Sequence, residues 1–355
     1  MKKIIAVILS LVCILNLTAC GSSPKQEAGT DEKPAAEAPA GDSSDNSKEK
    51  VRMAMIMPLA TQDFFNFIAA QLQYEADQAN VDLTMWDING DVSKIGDLVE
   101  MAKEQEYDLM FVIDPTGSAK SAMEEVQGDI VLIGFDAVVN PELQSAWIST
   151  DNVAMGRLLA EHMIDDMRAA GKDSYNVILT FTPTVQSEID RKDGMIEAIE
   201  AVDDMEIHVE EASNSKVDLA GKVSLWDDLL VRKAEGEIDY VLGTNSYNAL
   251  GCVSAAEAAG RYDFKVMGID DEEDQLAALQ KEGEHLYYAT IAQNPFQIGK
   301  EMMRAALAAL NGEELGTIGV DGVLVTSDNV DGYLAERSKN IEALSDYISI
   351  ISQLN

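Results

Sequence analysis

Residues 51–86 read VRMAMIMPLATQDFFNFIAAQLQYEADQANVDLTMW, and three patterns follow one another in that stretch. Arg52 to Met57 is a short apolar run stopped by Pro58. Phe65, Ile68, Ala69, Leu72 and Ala76 then recur at the three- and four-residue spacing of a helix with one apolar face. Leu83 to Trp86 is a second short apolar run. A continuous apolar strand has both faces covered, so strand, amphipathic helix and strand together predict a βαβ unit with a parallel sheet.

The same rhythm continues outward. Ile95, Leu98, Val99 and Ala102 mark a helix, and Leu109–Ile113 is a strand ending at Asp114-Pro115. Ile130–Ile133 is another, followed by Gly134-Phe135-Asp136, and Trp147-Ile148 is a short one. In the second half, Met155, Leu158, Leu159 and Met163 share a helix face, as do Met195, Ile196 and Ile199. Val177–Phe181, Tyr240–Leu242, Val266–Ile269 and Tyr288–Ile291 are strands, and Leu250–Ala259 is helical. The units suffice for two sheets, which makes the fold class α/β. Polar residues stand directly after several strands: Asp114, Asp136, Asn245, Asp270 and Gln293. Ligands of open α/β sheets bind at the carboxyl ends of strands, so this placement is the main functional clue that spacing supplies.

Composition narrows the partners. The 355 residues carry 63 Asp and Glu against 26 Lys and Arg, a formal net charge of −37. Phosphate-rich nucleic acid and anionic membrane surfaces are repelled by such a chain. Three cysteines exclude a disulfide scaffold. His162, His208 and His285 are scattered without metal-ligand spacing, so no metal and no cofactor are expected. Asp87-Ile88-Asn89-Gly90-Asp91 has the start of a calcium loop, but Val92 and Leu98 stand where its sixth-position Gly and twelfth-position Glu belong.

The N-terminus reads as an address. Met1-Lys2-Lys3 is a basic start, and Ile4–Leu17 is an apolar segment too short to span a bilayer comfortably. Leu17-Thr18-Ala19-Cys20-Gly21 then resembles a bacterial lipobox, which implies a signal peptide over 1–19 and a lipidated Cys20. Ser22–Lys50 contains no Ile, Leu, Val, Met or aromatic residue, so it cannot offset its ordering entropy by burial. Residues 20–50 are expected to form a disordered tether reaching about 30 Å. The protein is therefore expected outside the cytoplasm, anchored by lipid to the outer face of the cytoplasmic membrane, as periplasmic or cell-surface material.

Eight short pieces occur in a fixed order: Gln62-Asp63-Phe64-Phe65, Asp114-Pro115-Thr116, Gly134-Phe135-Asp136, Ser149-Thr150-Asp151-Asn152 with Gly156, Asp190-Arg191-Lys192-Asp193-Gly194, Asn245 with Ala249-Leu250-Gly251, Gly268-Ile269-Asp270, and Ala289-Thr290-Ile291-Ala292-Gln293 with Gly299. On these the chain resembles the type I periplasmic sugar-binding proteins, the solute receptors of ABC importers. Ribose- and galactose-binding proteins and LacI-type ligand domains share that fold. The resemblance implies two Rossmann-like lobes with parallel sheets, joined by a hinge of three crossovers near Thr150-Asp151-Asn152, Gln293-Asn294 and Thr326-Ser327-Asp328. The N-terminal lobe is expected over 51–150 plus 294–326 and the C-terminal lobe over 151–293 plus 327–335. Residues 336–355 are expected as a C-terminal helical tail of unknown packing.

Carried over position by position, the resemblance implies that Gln62, Phe64, Phe65, Asp136, Arg191, Asn245, Asp270 and Gln293 contact the ligand. Flat aromatic rings stack on the C–H face of a sugar, and carboxylates and amides bond adjacent hydroxyls. Asp136 and Asp270 read equally as caps of the following helices when taken singly; the ordered set favours ligand contact. Arg191 stands open between a ligand contact and an ion pair with Asp190 or Asp193. Trp86, Trp147 and Trp226 read as core. The ribose-binding pattern has Arg at the positions of Ala137 and Ile189, so this site has fewer cations and a neutral sugar, polyol or nucleoside is expected.

The resemblance implies an extracytoplasmic binding protein rather than an enzyme, with no catalytic residue. It would act as a monomer, with an ABC permease and its ATPase as partners. The alternative is a sensory subunit that presents the ligand to a membrane kinase or chemoreceptor. A surface hydrolase and a LacI-type repressor are the other rivals; no helix-turn-helix precedes Val51, and the leader directs the chain outward.

Overall fold

The computed structural model describes residues 50–354 except Glu284 and Glu314. The leader, Cys20 and the tether up to residue 49 lie outside the described residues. Twelve strands are described: β1 Arg52–Met57, β2 Asp82–Asp87, β3 Leu109–Asp114, β4 Val131–Val138, β5 Ala146–Thr150, β6 Ser174–Phe181, β7 Glu206–Ser213, β8 Tyr240–Gly243, β9 Lys265–Ile269, β10 Tyr287–Ala292, β11 Gly316–Val320 and β12 Val323–Thr326. They form two six-stranded sheets, ordered β11-β5-β4-β3-β1-β2 and β12-β10-β9-β8-β6-β7. Every described pairing is parallel except that of β12 with β10. The class is α/β with two lobes, in agreement with the reading of the sequence.

Central strands are apolar because helices cover both faces. All six residues of β3 are buried, as are Met53–Met57 of β1. Each Leu, Ile or Met side chain so buried contributes roughly 1.5–3 kcal/mol. The edge strands β2 and β7 read DLTMWD and EIHVEEAS and are largely half-buried or exposed. Their charges discourage pairing with another sheet edge.

Three crossings run between the two sheets, and the C-terminal helices add a fourth between the lobes. β5 of the first sheet ends at Thr150, and helix Asn152–Ala170 buries Met155, Leu159 and Met163 against Leu179 and Met267 of the second. β10 of the second sheet leads through Asn294 into helix Pro295–Leu310, which buries Phe296 and Met302 in the first-lobe core. β11 and β12 lie in different sheets, so the third crossing runs through Asp321-Gly322. It thus precedes the Thr326-Ser327-Asp328 position that sequence matching implied, and β12 belongs to the second sheet rather than to the N-terminal lobe. The antiparallel β12 repeats no motif of the parallel units, which is why the motif order misplaced it.

The tail is not an appendage. Helix Val330–Ala343 begins with Val330 buried in the second-lobe core, with Tyr333 and Leu334 against it. Leu344 and Ile351 of helix Ser345–Ile351 are then buried in the first-lobe core. The C-terminus therefore returns across the lobes.

Candidate functional site

Five strand ends carried the sequence clue, and the structure separates them. Asp114 is fully buried and used internally: its Oδ1 accepts from the Ser118 amide at 3.1 Å and its Oδ2 from the Ala119 amide at 3.0 Å. It shapes the turn before helix Lys120–Val126. The other four converge.

Asp270 follows β9 and holds the centre. Its Oδ1 accepts from Arg191 Nη1 at 3.3 Å and from Gln293 Nε2 at 2.9 Å. Its Oδ2 accepts from the Ser246 amide at 3.1 Å, at the positive end of helix Ser246–Ala258. Arg191 is buried at 6% exposure, and its Nε donates to Asn152 Oδ1 at 2.9 Å and its Nη1 to the Thr244 carbonyl at 2.9 Å. Arg191 thus pairs with Asp270, and neither Asp190 nor Asp193 is its partner; Asp190 accepts from Gln186 and Asp193 pairs with Lys192. Gln293 Oε1 accepts from Thr150 Oγ1 at 2.8 Å. A continuous chain of bonds, Asn152–Arg191–Asp270–Gln293–Thr150, therefore links two of the three crossovers through the site.

Asn245 is anchored by a group that sequence reasoning missed. Glu188 is 3% exposed and accepts from the Thr182 amide, Thr244 Oγ1, Asn245 Nδ2 and Asn248 Nδ2 at 2.7–2.9 Å. Asn245 Oδ1 meanwhile accepts from the Asn248 amide and side chain. One N–H of Asn245 is left free and its oxygen is saturated, so it can act further as a donor only. Gln293 keeps one N–H and one lone pair on Oε1, so it can donate and accept. The signal for Glu188 was its place three residues before Arg191, which sets both on one helix face.

Asp136 belongs to the first lobe. It sits in a bulge of β4, where the pairing with β3 shifts between Val112 and Asp114, so the strand continues past the Ile133 stop read from the sequence. Asp136 and Asp270 both have left-handed backbones, φ 53° and 86°. Such strain persists only where surrounding contacts enforce it. For Asp136 one of those contacts is Trp147, whose Nε1 donates to the Asp136 carbonyl at 2.9 Å; this tryptophan, expected in the core, is half-buried and holds the site turn instead. No side chain among the described residues bonds the Asp136 carboxylate. Desolvation pushes its pKa up to about 6, opposed by the charge of Arg191 across the gap and by the Ala137 amide.

The remaining expected residues open helix Asp63–Gln78. Gln62 is exposed at its N-cap with no side-chain bond. Phe64 and Phe65 are half-buried and meet edge to face at 5.3 Å. The charge of Asp63 raises the pKa of Glu272, after burial, Asp270 and Asp271. That helix start therefore faces the loop carrying Asp270.

The free valences define what the cleft can grip. Arg191 Nη2 and one N–H each on Asn245 and Gln293 make the second-lobe wall chiefly a donor surface, with lone pairs left on Gln293 Oε1 and Asp270 Oδ2. Asp136 offers acceptors from the first lobe. A hydroxyl both accepts and donates, so a row of hydroxyls satisfies both walls at once. Asp63, Asp136, Asp270, Asp271 and Glu272 outnumber Arg191 locally and disfavour an anion.

Asp136 also gives a test. Its proton is held more tightly folded than unfolded, so its stabilising contribution is full below about pH 4 and is lost as pH rises through about 6. Asp136→Asn should melt a few degrees higher than the parent at pH 7.5, with the gap closing towards pH 4.5. Thermal melts across that range that keep a constant gap would contradict this.

The fold and site define a two-lobed receptor of small solutes, and the sequence matches the family of the periplasmic binding protein domain over residues 53–314. The chain belongs to that family. It is 25% identical to the ribose import binding protein of Salmonella typhimurium over 279 residues, 77% of this chain and 89% of that protein. It is 27% identical to the xylitol-binding protein of Mycolicibacterium smegmatis over 343 residues, 93% and 88% of the two chains. Among solved structures it is similar to an ABC transporter solute-binding protein from Bacillus halodurans with bound myo-inositol, at TM-score 0.65 and 24% identity, covering 82% of this chain and 100% of that one.

Proposed function

We propose that the protein is the extracytoplasmic solute receptor of an ABC importer, taking a neutral sugar or polyol between its lobes. The bonded chain Asn152–Arg191–Asp270–Gln293–Thr150, facing the unpartnered Asp136, carries this reading. A hydroxyl-rich solute bridges the donors of one lobe and the acceptor of the other, so it favours the closed arrangement by that differential affinity. Phe64 and Phe65 supply the flat apolar wall. The closed receptor then delivers the solute to the permease and its ATPase, held at the membrane through a lipid on Cys20. The relatives, which bind ribose or xylitol by name, support this class of ligand. The site binds and releases; it does no chemistry.

Thermal shift with xylitol, ribose, galactose and myo-inositol, and with glucuronate as an anionic control, tests the reading. At a hundredfold excess over Kd, binding contributes about 2.7 kcal/mol. That raises the melting point by roughly 4–5 °C for a chain of this size. At least one neutral compound should shift it, and glucuronate should not. Silence from every neutral sugar and polyol at 10 mM, or conversion of one into a product, would overturn the proposal.

A further inference from the structure

The loop after β9 reads Asp270-Asp271-Glu272, three adjacent carboxylates. Asp270 is neutralised from within the site by Arg191. Asp271 is held from elsewhere: its Oδ2 accepts from Tyr333 Oη at 2.7 Å and pairs with Arg337 Nε at 3.2 Å. Both partners lie on the returning C-terminal helix. The Asp271 pKa is raised by burial, and Tyr333 and Arg337 pull it back down.

Arg337 also reaches the other lobe. Its guanidinium lies over the ring of Phe67, 5.5 Å from the centroid, within cation–π range. Phe67 is buried and stacks on Phe296 at 5.2 Å, just after the second crossover. It lies one turn past Phe64 on the helix that opens with the aromatic pair. One side chain therefore touches the helix carrying the aromatic wall and the loop carrying the central carboxylate. Further along, the tail is fastened to the first lobe by Asn66 Nδ2 to the Ile348 carbonyl at 3.2 Å and by Tyr347 Oη to Asp77 at 2.8 Å. Beside Arg337 a cavity of about 200 Å³ remains, lined in part by Asp271, Gln293, Phe296, Tyr333 and Asn340. The helix is thus not packed solidly against the hinge there, and Arg337 bridges the two lobes at that point.

We propose that Arg337 is a latch across the hinge, a positioning residue through which the C-terminal helix fixes the Asp270 loop against the first lobe. Lobe rotation must stretch or break its contacts, so the latch weights the balance between cleft arrangements whatever solute the cleft takes. Hydrogen exchange on the ligand-free full chain tests this without reference to any ligand. Arg337→Gln should speed exchange at least fivefold in peptides covering 270–275 and 291–295, while 345–351 stays as protected as in the parent. Asp271→Asn should reproduce that change, and the double variant should add nothing to it. If Arg337→Gln folds poorly, Arg337→Lys, which keeps the charge without the flat group, should give an intermediate rate. Unchanged exchange at 270–275, a change confined to residues beyond 330, or additive effects in the double variant would each overturn the latch.

Discussion

Asp270→Ala should abolish measurable solute binding and lower the melting point by about 5–8 °C. The carboxylate is the shared acceptor of Arg191, Gln293 and the Ser246 amide. Its removal leaves Arg191, with a side chain only 7% exposed, as an uncompensated cation. Breaking a buried pair from one side costs roughly 3–5 kcal/mol. The chain of bonds between two crossovers is cut at its midpoint as well. Asp270→Asn keeps one acceptor oxygen and tolerates the left-handed backbone but leaves Arg191 equally without its counter-charge, so it should recover only part of the stability and little of the binding. Calorimetric titration with whichever neutral compound gives a thermal shift, together with melting curves, separates the two effects. Near-parental affinity in the alanine variant would mean that the solute sits elsewhere.

Gly156→Ala should damage the second lobe by a different route. Helices Asn152–Ala170 and Gln186–Glu200 cross with their backbones in contact, and a Cβ on Gly156 would overlap the carbonyl of Arg191. Gly194 meets the Val153 carbonyl in the same way. Neither obstacle is a flexible side chain, so the helices must separate. Overpacking of a well-packed interior costs about 1–3 kcal/mol, more where backbone must move. The helix separation also displaces Arg191 from Asn152 and Asp270. A loss of about 5 °C in melting point is expected, with weakened binding even under conditions where the fold persists. A variant melting within 2 °C of the parent would show that the helices do not meet as described.

These two residues show how unevenly the sequence reveals the site. Gly156 and Asp270 both stand in short pieces recognisable by order, yet only the carboxylate announces chemistry. The glycine's role as the contact that sets Arg191 needs the helix pair. Asp114 and Asp136 look alike in the sequence, each closing an apolar strand. The first turns into its own lobe to accept two amides, and the second is left without a side-chain partner. Glu188 was marked only by its spacing from Arg191 and Asn152 only as a crossover residue, because a polar residue on an amphipathic helix normally faces solvent. Only packing against β8 and the following helix makes Glu188 the buried acceptor of four donors.

The alternation of apolar runs and amphipathic helices, a local property of each segment, was enough by itself to specify the α/β class and two sheets. The ordered short motifs, likewise read along the chain, placed most of the site at strand ends. Which carboxylate faces the gap, what Arg191 pairs with, where the third crossing runs and how the C-terminal helices return depended on contacts between residues far apart in sequence. No periodicity encodes such contacts, because each is decided by which side chains the assembled lobes bring within bonding distance.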